Sequence, residues 1–168
     1  MKVHLEHAVA MAVVMLALTL VSLPVRAEET AADQTGSTTT NMEILREKVR
    51  ADKKLVVAAN MDLTETEAKA FWPVYQEYQT DLAKANEKIE KLIGEYAENY
   101  QGMTDQTAKK ILDRSLTLEK ERLALRTFYL PRFQKALPSV KVARYYQIEN
   151  KIQAILQYTL AANIPLMK

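Results

Sequence analysis

The spacing of apolar residues from residue 42 onward is typical of α-helices and predicts an all-α fold with four helices. Apolar side chains recur at steps of three, four or seven, and no stretch keeps the alternation of a β-strand. Three glycines and five prolines also leave little sequence for the turns of a β-rich protein. The helices are predicted over residues 42–59, 64–100, 104–137 and 138–162.

Helix 2 has the most regular apolar seam, in which steps of four and three alternate as in packed long helices. The seam consists of Phe71, Tyr75, Tyr78, Leu82, Ala85, Ile89, Leu92 and Tyr96. Thr64 and Glu67, at the start of this helix, have the spacing of a capping box. Such a helix is about 50 Å long, whereas a compact domain of this size is roughly 30 Å across. We therefore expect a partner, most simply a second copy.

Helix 3 is predicted to be long, antiparallel to helix 2 and broadly apolar on one side. The broad face consists of Ile111, Leu112, Leu116, Leu118, Leu123, Leu125, Phe128, Tyr129, Leu130 and Phe133. Pro73 and Pro131 fall inside helices 2 and 3 and predict a bend in each. On helix 4 the predicted apolar stripe is Tyr145, Ile148, Ile152, Ile155 and Thr159. Long bent helices joined by short turns favour a cradle-like shape.

The N-terminus is predicted to be an export signal over residues 1–27. Lys2 precedes an apolar run over residues 8–23, and Val25 and Ala27 provide the small residues that a signal peptidase recognises, with cleavage after Ala27. An uncleaved N-terminal anchor is the alternative. Residues 28–41 are polar and threonine-rich and predict a disordered leader. The helical domain then covers residues 42–168.

The absence of reactive side chains after residue 27 excludes several kinds of chemistry. The chain has no cysteine, and both histidines lie within the predicted signal. Serine–histidine–aspartate and cysteine–histidine catalysis, histidine-ligated zinc and di-iron sites are therefore excluded. Helix 2 carries acids that could bind calcium or act as a carboxylate pair, but interleaved lysines favour solvated ion pairs. We expect no enzyme activity, no cofactor and no metal.

Charge is segregated along the chain although the whole sequence has a formal charge of only +2. Residues 62–98 contain nine acids and four bases, a net charge of −5, and residues 109–144 contain ten bases and three acids, a net charge of +7. One interpretation is that helices 2 and 3 neutralise each other. The other is a basic, aromatic binding surface. Its candidate residues are Arg122, Arg126, Phe128, Tyr129, Arg132, Lys135 and Arg144.

The start of helix 2 resembles the motif of the Spy/CpxP periplasmic family, which includes zinc-resistance-associated relatives. The family repeats Leu-Thr-x-x-Gln at helix starts. Here Leu63, Thr64 and Glu67 match with glutamate in place of glutamine, and Met103-Thr104-Asp105-Gln106-Thr107 is a looser copy. Leu137-Pro138-Ser139 stands in the place of a further copy but departs from the motif. The resemblance implies a cradle-shaped dimer in the periplasm that acts as an ATP-independent chaperone or as an adaptor of an envelope-stress sensor kinase.

The sequence thus favours a periplasmic chaperone or stress adaptor that binds unfolded polypeptide on a concave basic and aromatic face. Leu63, Thr64 and Glu67 would have a structural role. One alternative is a regulatory module that docks on a membrane sensor protein. Another is a binder of anionic envelope surfaces, with peripheral membrane contact. Nucleic acid is not expected as a partner because the chain is predicted to be exported.

Overall fold

The computed structural model describes residue 48 and residues 50–167, and its regular elements are helices. Helix α1 is described over residues 50–61, and α2 covers Glu65–Asn99. A 3-10 turn at Tyr100–Gly102 leads to α3, which covers Asp105–Ala136, and α4 covers Ser139–Asn163. Within this described part there are four helices and no strand, which confirms the all-α prediction. The predicted signal, the leader and the start of the first helix lie outside the described residues.

Capping side chains set the starts of α2 and α3 where the sequence predicts them. The amide of Glu67 donates to Thr64 Oγ1 at 3.3 Å, and the amide of Thr64 donates to Glu67 Oε2 at 2.8 Å, so the capping box is confirmed. At α3 the amide of Thr107 donates to Thr104 Oγ1 at 3.2 Å. These bonds satisfy amides that would otherwise have no partner in the first helical turn.

The core of the fold is an aromatic cluster to which all four helices contribute. Its buried members are Val57, Met61, Phe71, Tyr75, Tyr78, Leu82, Tyr129, Phe133, Leu137, Val142 and Tyr145. A smaller cluster of Leu92, Tyr96 and Ile111 lies near the other end of α2. Six of the eight predicted seam residues of α2 are buried, and Ala85 and Ile89 are half-buried. The seam prediction is therefore confirmed.

Four polar contacts join α2 to α3. Their residue numbers increase along α2 and decrease along α3, so the contacts occur in opposite order on the two helices. The contacts are Glu77 with Arg132 at 2.7 Å, Asp81 with Tyr129 at 2.8 Å, Lys88 with Glu121 at 2.6 Å, and Glu95 with Arg114. Two of these contacts, Glu77 with Arg132 and Glu95 with Arg114, pair an acid of α2 with a base of α3, so part of the charge segregation seen in the sequence is neutralised within the chain.

The broad apolar face predicted for α3 is only partly buried. Ile111, Tyr129 and Phe133 are buried, whereas five residues of that face are exposed: Leu112, Leu116, Leu123, Phe128 and Leu130. The buried residues follow one line of the helix. Each exposed leucine is next in sequence to a position on this buried line. One position along an α-helix is a rotation of about 100°, so these leucines are turned away from α2. On α4 the predicted stripe also differs, because Ile155 is exposed and Glu149 is buried instead.

Candidate functional site

The seven candidate binding residues occupy three different environments. Phe128, Arg132, Lys135 and Arg144 are exposed, Arg122 and Arg126 are half-buried, and Tyr129 is buried. The first six of the seven in sequence lie on α3, and Arg144 lies on α4. The structure therefore brings part of the set together on α3 and assigns other members to internal contacts.

Arg132 and Phe128 form the exposed centre of the candidate surface. They lie one helical turn apart on α3, which places the two side chains on the same face. The guanidinium carbon of Arg132 lies 4.7 Å from the ring centroid of Phe128 and 5.2 Å from that of Tyr129. Arg132 also pairs with Glu77 at 2.7 Å. Phe128 nevertheless remains 57% exposed, so an apolar ring and a cation are presented together.

Tyr129 belongs to the core and supports this surface from below. Its side chain is 2% exposed, and its hydroxyl donates to Asp81 Oδ2 at 2.8 Å. Burial, followed by the hydrogen bond to Asp81, raises the pKa of Tyr129 to about 12. The ring also packs edge-on against Phe128, with centroids 5.3 Å apart. Tyr129 therefore positions the exposed residues and has almost no surface for a partner.

Arg122 and Arg126 connect α3 to α4. Arg126 donates to Asn150 Oδ1 at 2.7 Å, and its guanidinium lies 5.3 Å from the ring centroid of Tyr146. The hydroxyl of Tyr146 donates back to the Arg126 carbonyl oxygen at 2.8 Å. Arg122 donates to the side-chain oxygen of Gln153. These two arginines hold the helices together, and their charges are only partly available to a partner.

Lys135 and Arg144 are the exposed cations of the set that form no ion pair within the described residues. Lys135 follows Arg132 by three positions, so both extend from one side of α3. The sequence has no acid between Arg122 and Ile148, and the acids of α2 that lie against this part of α3 are Glu77, which pairs with Arg132, and Asp81, which accepts from Tyr129.

Sequence reasoning missed a largely buried polar network beside the aromatic cluster, which it contacts through Tyr145. Lys53 of α1 donates to Gln79 Oε1 and to Glu149 Oε2, both at 2.8 Å. The amide nitrogen of Gln79 donates to Glu149 Oε1 at 3.0 Å and to the hydroxyl of Tyr145 at 3.2 Å. The network therefore joins α1, α2 and α4. One sequence signal exists: Glu149 follows Tyr145 by four positions and so lies on the apolar side of its helix.

Burial controls the ionisation of this network. Desolvation lowers the pKa of Lys53 below its ordinary value, while the nearby Glu149 carboxylate acts in the opposite direction. Desolvation also raises the pKa of Tyr145 far above that of a free phenol. A small hollow of about 30 Å³ lies beside the network, between α1 and α2.

Two further properties of the described residues concern metals and membranes. Between residues 50 and 167, no group of three or more histidine, cysteine, aspartate or glutamate side chains is arranged to hold a metal ion. Among the described helices, none combines the length and the apolar character needed to cross a bilayer. Comparison of the chain with family models, with curated proteins and with solved structures finds no match.

Proposed function

We propose that the protein is a periplasmic, ATP-independent chaperone or stress adaptor that binds unfolded polypeptide. The observation that carries this proposal is the exposed Phe128 ring beneath the Arg132 guanidinium, with Lys135 beside them. Phe128 is 57% exposed, and a partner that covered its ring would remove apolar surface from water beside two cations.

The chemistry of this surface suits unfolded chains better than a single small ligand. Cations accelerate encounter with acidic segments through long-range attraction, and exposed apolar groups then bind apolar side chains. An arginine plane stacked on an aromatic ring offers both properties at once. The sequence has no nucleotide-binding motif, so binding alone would supply the free energy of capture.

The proposed architecture is a dimer of cradle-like subunits in which α2 and α3 are bent at Pro73 and Pro131. Exposed leucines on α3 supply a face for the second copy, because Leu112, Leu116 and Leu123 recur at steps of four and seven. Their side chains are 57%, 47% and 65% exposed. A second helix packed on this stripe would cover apolar surface that the single chain leaves in water.

The export signal and the family resemblance support a periplasmic location after cleavage behind Ala27. The Thr64–Glu67 capping box supports the resemblance, since Glu67 makes the helix-capping hydrogen bond that glutamine can make in the Leu-Thr-x-x-Gln motif. The principal alternative uses the same surface to dock on one membrane sensor protein.

Site-specific crosslinking in cells separates these two functions. A photoreactive amino acid would replace Phe128, and the matched control would place it at Leu55, which is 68% exposed on α1. A chaperone predicts a broad set of crosslinked proteins at position 128 that grows under envelope stress. A single dominant partner would support the sensor adaptor. No position-specific crosslinking would contradict both.

A further inference from the structure

The second half of α4 is unusual because the rest of the described chain leaves it largely uncovered. Residues 142, 145 and 149 are the buried positions of α4, and all three lie in its first half. Between Lys151 and Lys168 the sequence contains no charged residue. Apolar side chains on this segment are strongly exposed: Ile155 is 52%, Tyr158 78% and Leu166 89% exposed.

The exposed residues form a defined stripe. Arg144, Lys151, Ile155 and Tyr158 follow one another at steps of seven, four and three, so they lie on one face of the helix. The tail after α4 is also held in place, because the Tyr96 hydroxyl donates to the Pro165 carbonyl oxygen at 2.7 Å. This bond attaches to α2 the residue that precedes Leu166, and Leu166 itself is 89% exposed.

The charge of this face has one sign. Lys141 is paired with Glu67, and Glu149, which is the acid of α4, is paired with the buried Lys53. Arg144 and Lys151 remain as exposed cations that form no ion pair within the described residues, and α4 exposes no acid. The face thus combines apolar side chains with uncompensated positive charge.

We propose that the outer face of α4 docks on an anionic lipid surface. Ile155 and Tyr158 would enter the boundary between headgroups and acyl chains, and Arg144 and Lys151 would contact lipid phosphates. Amphipathic helices bind bilayer surfaces through this combination of buried apolar area and attraction to anionic lipid. Tyrosine suits the boundary because its ring is apolar and its hydroxyl stays hydrated.

A second copy of the chain fits this face less well than a lipid surface does. A symmetric dimer through this face would bring the Arg144 and Lys151 of both subunits into one interface, and the face offers no acid to pair with them. Like charges brought together across an interface oppose association. The leucine stripe of α3 is a separate surface. Its residues are uncharged, so they do not repel each other across a symmetric interface. The lipid proposal is independent of the chaperone function, which depends on Phe128.

Flotation with lipid vesicles tests the proposal. The purified protein would be mixed with vesicles of phosphatidylcholine alone or of phosphatidylcholine with phosphatidylglycerol, at low and at high salt. We expect flotation with the anionic vesicles and little with the neutral ones. R144Q/K151Q should weaken binding about 25-fold, since each cation near an anionic surface contributes a factor of about five. I155S/Y158S should weaken it about a hundredfold, a factor of about ten for each lost apolar side chain.

Matched variants keep this test specific. L55S/V56S removes two exposed apolar side chains from α1 instead, and K110Q/K120Q removes two exposed cations from α3. The parent protein and all variants would begin at the same residue, so any contribution of the N-terminal segment to vesicle binding is the same for each of them. Equal flotation of the α4 and control variants would overturn the proposal, as would absence of flotation. Loss of dimerisation in I155S/Y158S without loss of flotation would assign the face to a second copy.

The attachment point can also be located directly. Because the chain has no cysteine, a single cysteine at position 158 or 55 can carry an environment-sensitive fluorophore. We expect a blue shift on addition of anionic vesicles for the label at 158 and none for the label at 55. A shift at 55 alone would contradict docking through α4.

Discussion

Lys53 Nζ lies 2.8 Å from Glu149 Oε2, and this buried ion pair joins the first helix of the described chain to the last. The side chains are only 13% and 8% exposed. Two buried charges are costly to desolvate, and the hydrogen bonds of Gln79 offset part of that cost. The pair therefore fixes where α1 docks on the aromatic cluster, more than it adds stability.

Removing one partner of this pair should be far worse than removing both. Lys53→Met leaves the buried Glu149 carboxylate with the Gln79 hydrogen bond but without its cation, and should lower the free energy of unfolding by about 3–5 kcal/mol. The double variant K53M/E149L should recover most of that loss, because it leaves no buried charge. Urea unfolding monitored by circular dichroism measures both values.

The exposed pair of Lys69 and Glu65 supplies the control. Its side chains are 76% and 84% exposed, so K69M should change the free energy of unfolding by less than about 1 kcal/mol. A K53M protein as stable as K69M would contradict the assignment of a buried pair.

Buried tyrosines should make the fold sensitive to alkaline pH. Burial raises the pKa values of Tyr75, Tyr78 and Tyr145 well above the ordinary phenol value, and that of Tyr129 to about 12. The folded state therefore holds protons that the unfolded state releases above about pH 10. Stability is fully present below that pH and falls as pH rises, by about 1.4 kcal/mol per pH unit for each such tyrosine.

Lys53 acts with the opposite sign and at lower pH, below its unfolded pKa of about 10.4. Its pKa is lowered in the folded state, so its contribution becomes more favourable as pH rises toward the unfolded value. Four tyrosines outweigh one lysine, and we expect a net loss of stability above about pH 10. Tyrosinate absorbance and circular dichroism, recorded on the same samples, measure this. Ionisation of all tyrosines before any loss of helix would contradict the burial of these rings.

The capping box at the start of α2 predicts a specific pair of variants. Thr64→Ala removes the acceptor for the Glu67 amide and should lower the free energy of unfolding by about 1 kcal/mol. Glu67→Gln keeps an oxygen that can accept from the Thr64 amide but removes the charge that pairs with Lys141 at 2.6 Å, so any loss of stability in this variant measures the ion pair rather than the cap. Thr66→Ala, an exposed change one residue before Glu67, should stay within about 0.5 kcal/mol of the parent. Equal losses for T64A and T66A in urea unfolding would contradict a capping role.

The leucine stripe of α3 predicts the oligomeric state. Placing charges on it in L116E/L123E should convert a dimer into a monomer, because two carboxylates would have to be buried at the interface. Both side chains are exposed in the single chain, so its helical content should not change. Sedimentation velocity measures the mass. A parent protein that is a monomer over a wide concentration range would contradict the dimer.

Helix boundaries could be predicted from the sequence because their signals are local. Thr64, Thr104 and Pro138 each act within one turn of the helix that they start or end. The buried seam of α2 could also be predicted, since its apolar residues recur at one helical period and therefore lie along one line of the helix. Which of two neighbouring lines on α3 would be buried could not be predicted, because that choice depends on how α3 rotates against α2.

The candidate surface was predictable in composition but not in geometry. A basic, aromatic stretch is visible in the sequence, yet only the fold separates exposed Phe128 from buried Tyr129 next to it. Sequence position also could not show that Arg122 and Arg126 reach across to α4. The Lys53–Glu149 pair was missed because its partners are 96 residues apart and neither carries a local motif.

Suppression of aggregation tests the central claim most directly. The chain without residues 1–27 would be added, with no ATP, to a chemically denatured client during dilution, and light scattering would be followed at low and high salt. We expect suppression near equimolar ratios that is weakened by F128S/K135E and by salt, and is unchanged in L55S, which loses a similarly exposed side chain of α1. Absence of suppression across several clients, or equal suppression by F128S/K135E and L55S, would contradict a chaperone surface at Phe128.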